Sequence, residues 1–481
     1  MILIGMMLAM SGCVRSASAV TSTESEVSAA DPSADARAET TAHEPYIQGA
    51  AGFFHPDRPV TRAQTAQLLL NLGFSQPGTA SFADVEETEW YAPAIAQLSD
   101  LFSGYEDGTF RPNGGTTMAE FVTILCRAMD LEEEALTREA GPGEPWYTPY
   151  WTLAAEYQWF PEDFSLRGDM PMTRAMAVAV LNRALDRVPD TAWLDNHVEQ
   201  VLFVDVRPDH WAYYDILEAT IAHQCGEDGS WLPESVSLTP LESGVYVSGG
   251  VGYYVEPSGT LYRTPGILQL GGDAYLVADE TGRIWADNAI HPYGNTLVCC
   301  AGNGKLLRNN SFHGFYFDDQ GFYTSRNAEV DGYVAEILAA CTDESMTQLE
   351  KLRAVFDYVR SYGYLGRNPS IADAVMSQEQ AASYACKIFE TGKGDCYNFT
   401  AAFYWLARGL GYDATAVVGT CRYTWGTRAI SHAWVEIPMD GTVYLFDPQI
   451  ENYNLRSGIS NTAYGAFQVT YQTAHATYYP N

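Results

Sequence analysis

The chain has 481 residues, 47% of them hydrophobic, and its 60 acidic against 27 basic side chains leave a net charge of −33. At about 100–200 residues per domain this suggests about three domains and room for more than one core. A surface this acidic repels phosphate backbones, which argues against a nucleic-acid partner and favours a soluble protein outside the cell.

In chain order, Ile2–Met10 is a short apolar run, too short to span a bilayer as a mature helix. It ends in Met10-Ser11-Gly12-Cys13. This stretch resembles a bacterial lipobox, which implies a lipoprotein-type signal over 1–13, lipidation at Cys13 and a lipid anchor to the membrane. An ordinary secretory signal with an incidental cysteine is the other reading. Residues 14–45 are rich in Ser, Ala, Thr, Asp and Glu, bury too little to offset their ordering entropy, and are expected to form a disordered linker.

Residues 46–230 repeat. Thr61-Arg62-Ala63-Gln64 recurs as Thr117-Met118-Ala119-Glu120 and as Thr173-Arg174-Ala175-Met176, in steps of 56 residues. Each threonine is placed to cap a helix, and apolar runs follow at Ala66–Leu72, Phe121–Met129 and Ala177–Leu185. Phe82-Ala83-Asp84-Val85 and Phe203-Val204-Asp205-Val206 repeat a second signature, and Trp90, Trp146 and Trp211 head a second helix type. With the loop Gly104-Tyr105-Glu106-Asp107-Gly108-Thr109-Phe110-Arg111-Pro112-Asn113, the region resembles S-layer homology repeats. That resemblance implies an all-α unit that binds secondary cell-wall polysaccharide, with Arg62 and Arg174 as ligand contacts and Met118 in place of the third arginine. A guanidinium at a helix N-terminus suits an acidic sugar substituent.

Over 245–330 the pattern changes to period two with glycine turns. Tyr253–Val255 with Thr260–Tyr262, Tyr275–Val277 with Arg283–Trp285, and Phe315–Phe317 with Phe322-Tyr323 read as aromatic hairpins. They loosely resemble bacterial cell-wall-binding repeats; a small β-module beside an enzyme is the other reading.

The last region, 345–481, carries the chemistry. Thr347–Tyr362 reads as an amphipathic helix with Leu349, Leu352, Val355, Phe356 and Val359 on one stripe. Gly392-Lys393-Gly394-Asp395-Cys396 precedes an apolar helical run that stops at Gly409-Leu410-Gly411, so Cys396 is expected at a helix N-terminus, where the dipole and free N–H groups favour a thiolate. Ser431-His432-Ala433-Trp434-Val435 alternates like a strand, and a turn at Asp440-Gly441 leads to Asp447-Pro448. A cysteine nucleophile needs a base, and the base needs a carboxylate to fix its tautomer. The motifs G-x-G-x-C, H-A-W-V-E and D-P, in that order, resemble the transglutaminase-like core, an α+β papain-like fold. The resemblance implies Cys396 as nucleophile, His432 as general base and acid, and Asp447 as its orienter. It also implies acyl transfer from a protein or peptide amide through a thioester, expected to be hydrolytic. The alternatives are a cross-linking transglutaminase and a non-catalytic wall-bound adhesin or scaffold.

Nine cysteines without paired spacing make a disulfide framework unexpected, and Cys126, Cys225, Cys341, Cys386 and Cys421 read as packed thiols. Neither CxxC nor HExxH occurs, so no metal and no cofactor is expected. Together these readings give a multidomain protein on the extracellular face of a bacterial cell envelope.

Overall fold

In the computed structural model, the described residues are 40–481 apart from 77, 79–80, 163–166, 367–370, 424–425 and 427. Cys13, the signal and nearly all of the expected linker lie outside them.

The repeat region contains α1 (Arg62–Asn71), α2 (Ala92–Leu98), α3 (Met118–Ala128), α4 (Glu132–Ala135), α5 (Thr148–Glu156), α6 (Arg174–Ala184), α7 (Thr191–His197) and α8 (Tyr213–Thr220). Thr61, Thr117 and Thr173 are the N-caps of α1, α3 and α6, each accepting from the backbone N–H three residues on. The segments ahead of these helices bond to one another in a closed ring. Val60 N–H donates to Met172 O (2.8 Å), Met172 N–H to Thr116 O (2.8 Å) and Thr116 N–H to Val60 O (3.0 Å). The 56-residue period is thus a pseudo-threefold arrangement, and its buried backbone groups satisfy each other. The repeated aspartates hold the loops. Asp84 accepts from Phe110 N–H and Arg111 N–H, and Asp205 accepts from Phe54 N–H and His55 N–H, so the last repeat closes onto the first. The region is helical but not purely so: β1 (Thr41–His43) pairs antiparallel with β2 (His223–Cys225), joining its two ends.

The middle region contains β3 (Gly244–Ser248), β4 (Val251–Val255), β5 (Gly266–Leu270), β6 (Asp273–Val277), β7 (Ile284–Trp285), β8 (Ala289–Tyr293), β9 (Thr296–Cys300), β10 (Asn310–Phe312), β11 (Phe315–Phe317) and β12 (Tyr323–Thr324). One antiparallel sheet has the order β3-β4-β7-β6-β5; β8–β9 and β10-β11-β12 stand beside it. Gly249 and Gly250, at φ 60° and 82°, supply the left-handed pair that a two-residue hairpin between β3 and β4 requires.

The C-terminal region comprises α9 (Ala328–Cys341), α10 (Gln348–Arg360), β13 (Gly363–Tyr364), α11 (Gln378–Thr391), β14 (Lys393–Gly394), α12 (Cys396–Gly409), β15 (Thr415–Arg422), β16 (Ile430–Met439), β17 (Thr442–Phe446), α13 (Pro448–Arg456), α14 (Asn461–Tyr464) and β18 (Thr477–Pro480). Helix α12 is buried along its whole length, which fits a sequence that is apolar all round. It lies between helices α9, α10 and α11 and the sheet ordered β17-β16-β15-β18. The core takes in Val330, Val334, Ile337 and Leu338 of α9, ahead of the residue-345 boundary expected from the motifs. On α10, Leu352, Val355, Phe356 and Val359 are buried as expected, but Leu349 is 40% exposed, because it sits in the first turn at the edge of the stripe.

Candidate active site

Three motifs distant in sequence meet at one end of α12. Cys396 is its first residue. Gly392 ends α11 in the left-handed conformation at φ 67°, and Gly394 is pressed so close to Asn398 that a Cβ would lie 2.5 Å from its side chain. Asp395 is the N-cap and accepts from Tyr397 N–H (2.9 Å) and Asn398 N–H (3.3 Å). The capping bonds go to the second and third helical residues, which leaves the Cys396 N–H at the mouth of the helix dipole. Burial raises the Asp395 carboxyl above its ordinary range, against the pull of these two N–H groups.

His432 lies on β16, and Asp447 directly follows β17 and begins α13. Their pairing is short: His432 Nε2 lies 2.6 Å from Asp447 Oδ2, with each side chain 1% exposed. Asp447 divides its oxygens, since Oδ1 accepts from Ile450 N–H at 3.0 Å as the N-cap of α13. The helix therefore fixes the carboxylate that fixes the imidazole. Burial opposes a charge on His432, but the Asp447 charge and hydrogen bond outweigh it; Cys396 adds a hydrogen bond and charge, and the imidazolium is held up to about 10. With Nε2 committed to Asp447, Nδ1 is the ring nitrogen left for the cysteine. Cys396 itself is 9% exposed. The structure thus brings together Cys396, His432 and Asp447.

Comparison with known proteins assigns two stretches of the chain to known domain families. Residues 333–448 match the model of the transglutaminase-like superfamily and residues 81–122 that of the S-layer homology domain. The chain carries both domains. Over 202 residues it is 32% identical to a cellulosome-anchoring protein of Acetivibrio thermocellus, covering 38% of this chain and 44% of that protein. Over 204 residues it is 28% identical to cell surface glycoprotein 1 of the same organism, covering 38% of this chain and 8% of that one. The chain spans less than half the length of either relative. Among solved structures, the choline binding domain of a Streptococcus pneumoniae protein aligns at 22% identity over 18% of this chain and 99% of its own, with a TM-score of 0.16, too low to carry an argument.

The transglutaminase-like domain also recruits residues that its motifs do not announce. Tyr478, on the C-terminal strand β18, donates its hydroxyl to Asp447 Oδ2 at 3.0 Å. Burial, then the Asp447 charge, keeps that phenol protonated far above its ordinary range. Gly419 makes the contact possible. A Cβ there would lie 2.1 Å from Tyr479 O, so only glycine lets β18 pair with β15 and bring Tyr478 over the carboxylate. Tyr364 stands opposite Gly394 in the parallel β13–β14 pair, and burial followed by the Cys396 charge raises its phenol. Of the motif aromatics, Trp434 is wholly buried and packs on Tyr478, while the Tyr397 hydroxyl is tied to Ser431 at 2.7 Å. Both side chains are committed to internal packing and bonding. A lone tyrosine in a terminal strand carries no spacing signal, so Tyr478 is legible only once β18 is placed.

In the repeats, Arg62 and Arg174 occupy equivalent places. Arg62 Nε donates to Phe110 O and Nη2 to Ser103 O, both at 2.8 Å. Arg174 Nε donates to Phe54 O and Nη2 to Gln48 O, both at 2.7 Å. Each guanidinium also lies over the phenylalanine whose carbonyl it binds. Burial, then the charge of Arg58, lowers Arg174 to about 10. Arg62 lines a pocket of about 360 Å³ together with Tyr105, Glu120, Arg127 and Trp146. Met118, the third position, is fully buried in the core.

Proposed function

We propose that this is a cell-surface, wall-associated cysteine enzyme that cleaves amides by acyl transfer through a thioester on Cys396. Cys396 Sγ, as thiolate, attacks the amide carbonyl, and the Cys396 N–H faces the oxygen on which charge develops. His432, which carries a proton at neutral pH, gives it to the nitrogen as the C–N bond breaks, and the amine leaves. Water then gives a proton to the neutral imidazole and attacks the thioester, releasing the carboxylic acid and the thiolate. Asp447 holds the imidazole throughout, and Tyr478 holds Asp447. The observation that carries this reading is the buried 2.6 Å His432–Asp447 pair set against a cysteine at the first position of a helix.

The repeats support a wall location for this chemistry. The pocket beside Arg62 combines a buried guanidinium with Trp146, which is 63% exposed and offers a flat apolar face. Secondary cell-wall polysaccharide with acidic substituents fits it, and the surface proteins that share these repeats support a cell-wall location.

The test is the pH dependence of iodoacetamide labelling at Cys396, read by peptide mass spectrometry in the wild type and in His432→Ala. Fast wild-type labelling near pH 6, with the variant shifted toward ordinary thiol behaviour near pH 8.5, is the expected result. Coincident curves rising only above about pH 8 end the catalytic reading and leave a wall-binding module. Release of free amine against incorporation of a labelled amine then separates hydrolysis from cross-linking.

A further inference from the structure

A second buried cluster lies where the ends of the repeat region meet. In the β1–β2 pair His43 stands directly opposite His223, and strand alternation puts Cys225 on the same buried side as His223 while Gln224 faces out. Helix α8 adds Glu218, which is fully buried. His43 Nδ1 lies 3.1 Å from His223 Nε2, 3.7 Å from Cys225 Sγ and 2.8 Å from Glu218 Oε1; Glu218 Oε2 lies 3.3 Å from His223 Nε2. One ligand atom from each of the two histidines and the cysteine fits within 4.8 Å of the others.

Hydrogen bonding alone accounts poorly for this cluster. His223 Nδ1 lies 2.9 Å from Ile221 O, which makes Nδ1 the protonated nitrogen and leaves the Nε2 lone pair pointing inward. His43 Nδ1 then faces an imidazole lone pair, a carboxylate oxygen and a sulfur with one proton at most to share among them. Protonating both rings instead sets two N–H groups against each other across 3.1 Å. Glu218 Oε1 is held by Arg187 Nε at 3.1 Å, whereas buried Glu218 Oε2 faces only His223 Nε2 at 3.3 Å, a lone pair in this tautomer. A buried carboxylate facing imidazole lone pairs and a sulfur is an arrangement that a cation would satisfy.

We propose that His43, His223 and Cys225, with Glu218 as the carboxylate beside the two histidines, hold a divalent transition metal of the zinc class. With bonds of about 2.0–2.1 Å to nitrogen and about 2.3 Å to sulfur, the edges of a tetrahedral site measure about 3.3 Å between nitrogens and about 3.6 Å between nitrogen and sulfur. The 3.1 Å between His43 Nδ1 and His223 Nε2 and the 3.7 Å between His43 Nδ1 and Cys225 Sγ match these edges. The donor set, two imidazoles with a thiolate and a carboxylate, suits zinc rather than calcium or magnesium. The Cys225 thiolate and the Glu218 carboxylate would offset the 2+ charge of the metal. The outer partners are those of a metal-bound histidine: Ile221 O fixes the His223 tautomer, Arg187 steers Glu218, and Trp231 stacks on the His223 ring at 3.7 Å. The three ligands come from β1 and β2 and Glu218 lies within reach of both histidines, so the metal's role is structural: it clasps β1 to β2 at the point where the chain enters the repeats. Short motifs could not show this site, because His43 lies 175 to 182 residues from the other three.

The test loads full-length chain with Co²⁺ and then Zn²⁺ after chelator treatment. Cys396→Ala is the background, which removes the catalytic thiol as a competing ligand. One equivalent of Co²⁺ with tetrahedral ligand-field bands and a thiolate charge-transfer band is expected. Zn²⁺ should displace it and raise the melting temperature of the repeats. His43→Gln and Cys225→Ser should each weaken Co²⁺ binding by about 100-fold or more, beyond the ~10–100-fold typical of outer-shell changes, and Cys225→Ser should abolish the charge-transfer band. His43 lies at the end of a three-residue strand, so its variant tests the site even if Cys225→Ser does not fold. No binding by the parent protein, or the same binding by parent and His43→Gln, overturns the proposal and leaves a proton-sharing network.

Discussion

Two buried clusters of histidine, carboxylate and cysteine lie in one chain, and they differ in what holds the imidazole from behind. At the C-terminal site a carboxylate, Asp447, grips His432 Nε2, and the ring keeps its proton up to about 10. At the β1–β2 clasp a neutral carbonyl, Ile221 O, takes His223 Nδ1, and the ring presents a lone pair. The cysteines differ in the same sense. Cys396 opens a buried helix and meets its positive end, whereas Cys225 sits in a three-residue strand beside the Glu218 carboxylate. Residue type alone therefore does not assign chemistry. An anionic partner stores a proton for catalysis, and a neutral one frees a lone pair for a metal.

The largest effect should come from removing the proton store. His432→Ala is expected to lower amide turnover by about 10³-fold or more while leaving Co²⁺ binding at the clasp intact. Loss of both together would show that the two clusters are not independent. Cys341→Ser, which removes a half-buried thiol outside both clusters, is the control and should change neither readout.

Asp447→Asn tests the carboxylate itself, with an expected fall in kcat of about 10²–10⁴-fold. It has a second readout in pH. His432 is raised above its ordinary 6.5, so its charge stabilises the fold fully below that pH, and the contribution is lost as pH rises through about 10. In Asp447→Asn burial is opposed by Cys396 alone, so the loss should move down toward the ordinary value. Melting temperature against pH measures this; an unchanged alkaline limb would mean that some other group sets it.

Tyr478→Phe should act through Asp447 rather than on substrate. Removing a buried hydrogen bond to a charged group costs about 1.5–3 kcal/mol, which should appear as a fall in kcat on the order of 10-fold at nearly constant KM. Gly419→Ala should reproduce it, because a methyl group there pushes β18 away from β15. If Gly419→Ala lowers activity and Tyr478→Phe does not, the strand matters for closure and the hydroxyl does not.

How much of this was legible follows from distance along the chain. Cys396, His432 and Asp447 each sit in a short motif that also encodes its own local structure: a glycine turn before a helix, an alternating strand, and a strand ending in a helix cap. The repeats announce themselves by period, but not the ring of Val60, Thr116 and Met172, because backbone pairing leaves no side-chain signature. Tyr478 depends on a terminal strand reaching β15, and the clasp depends on β1 finding β2. Such contacts are set by tertiary packing, and a glycine such as Gly419 hints at them only after the neighbouring strand is known. Cys225 reads as a packed thiol because no second cysteine stands at a metal-ligand spacing from it; His223 and Glu218 are near it in sequence, but His43 reaches it only through the β1–β2 pairing.

The smallest expected effect gives a structural baseline far from both clusters. Helices α1 and α3 begin with full capping boxes, in which Gln64 and Glu120 reach back to the backbone of Thr61 and Thr117. Helix α6 has the Thr173 cap alone, because Met176 stands where the reciprocal acceptor would be. Thr117→Ala should therefore cost about 1 kcal/mol, whereas Met176→Glu, by completing the box, should add about 0.3–1 kcal/mol of stability to the third repeat. Thermal melting of the full chain measures both. The gain at Met176 should survive chelator treatment, since the cap and the clasp lie at opposite ends of the argument for stability: one satisfies a single N–H group locally, and the other joins segments that only the folded repeats bring together.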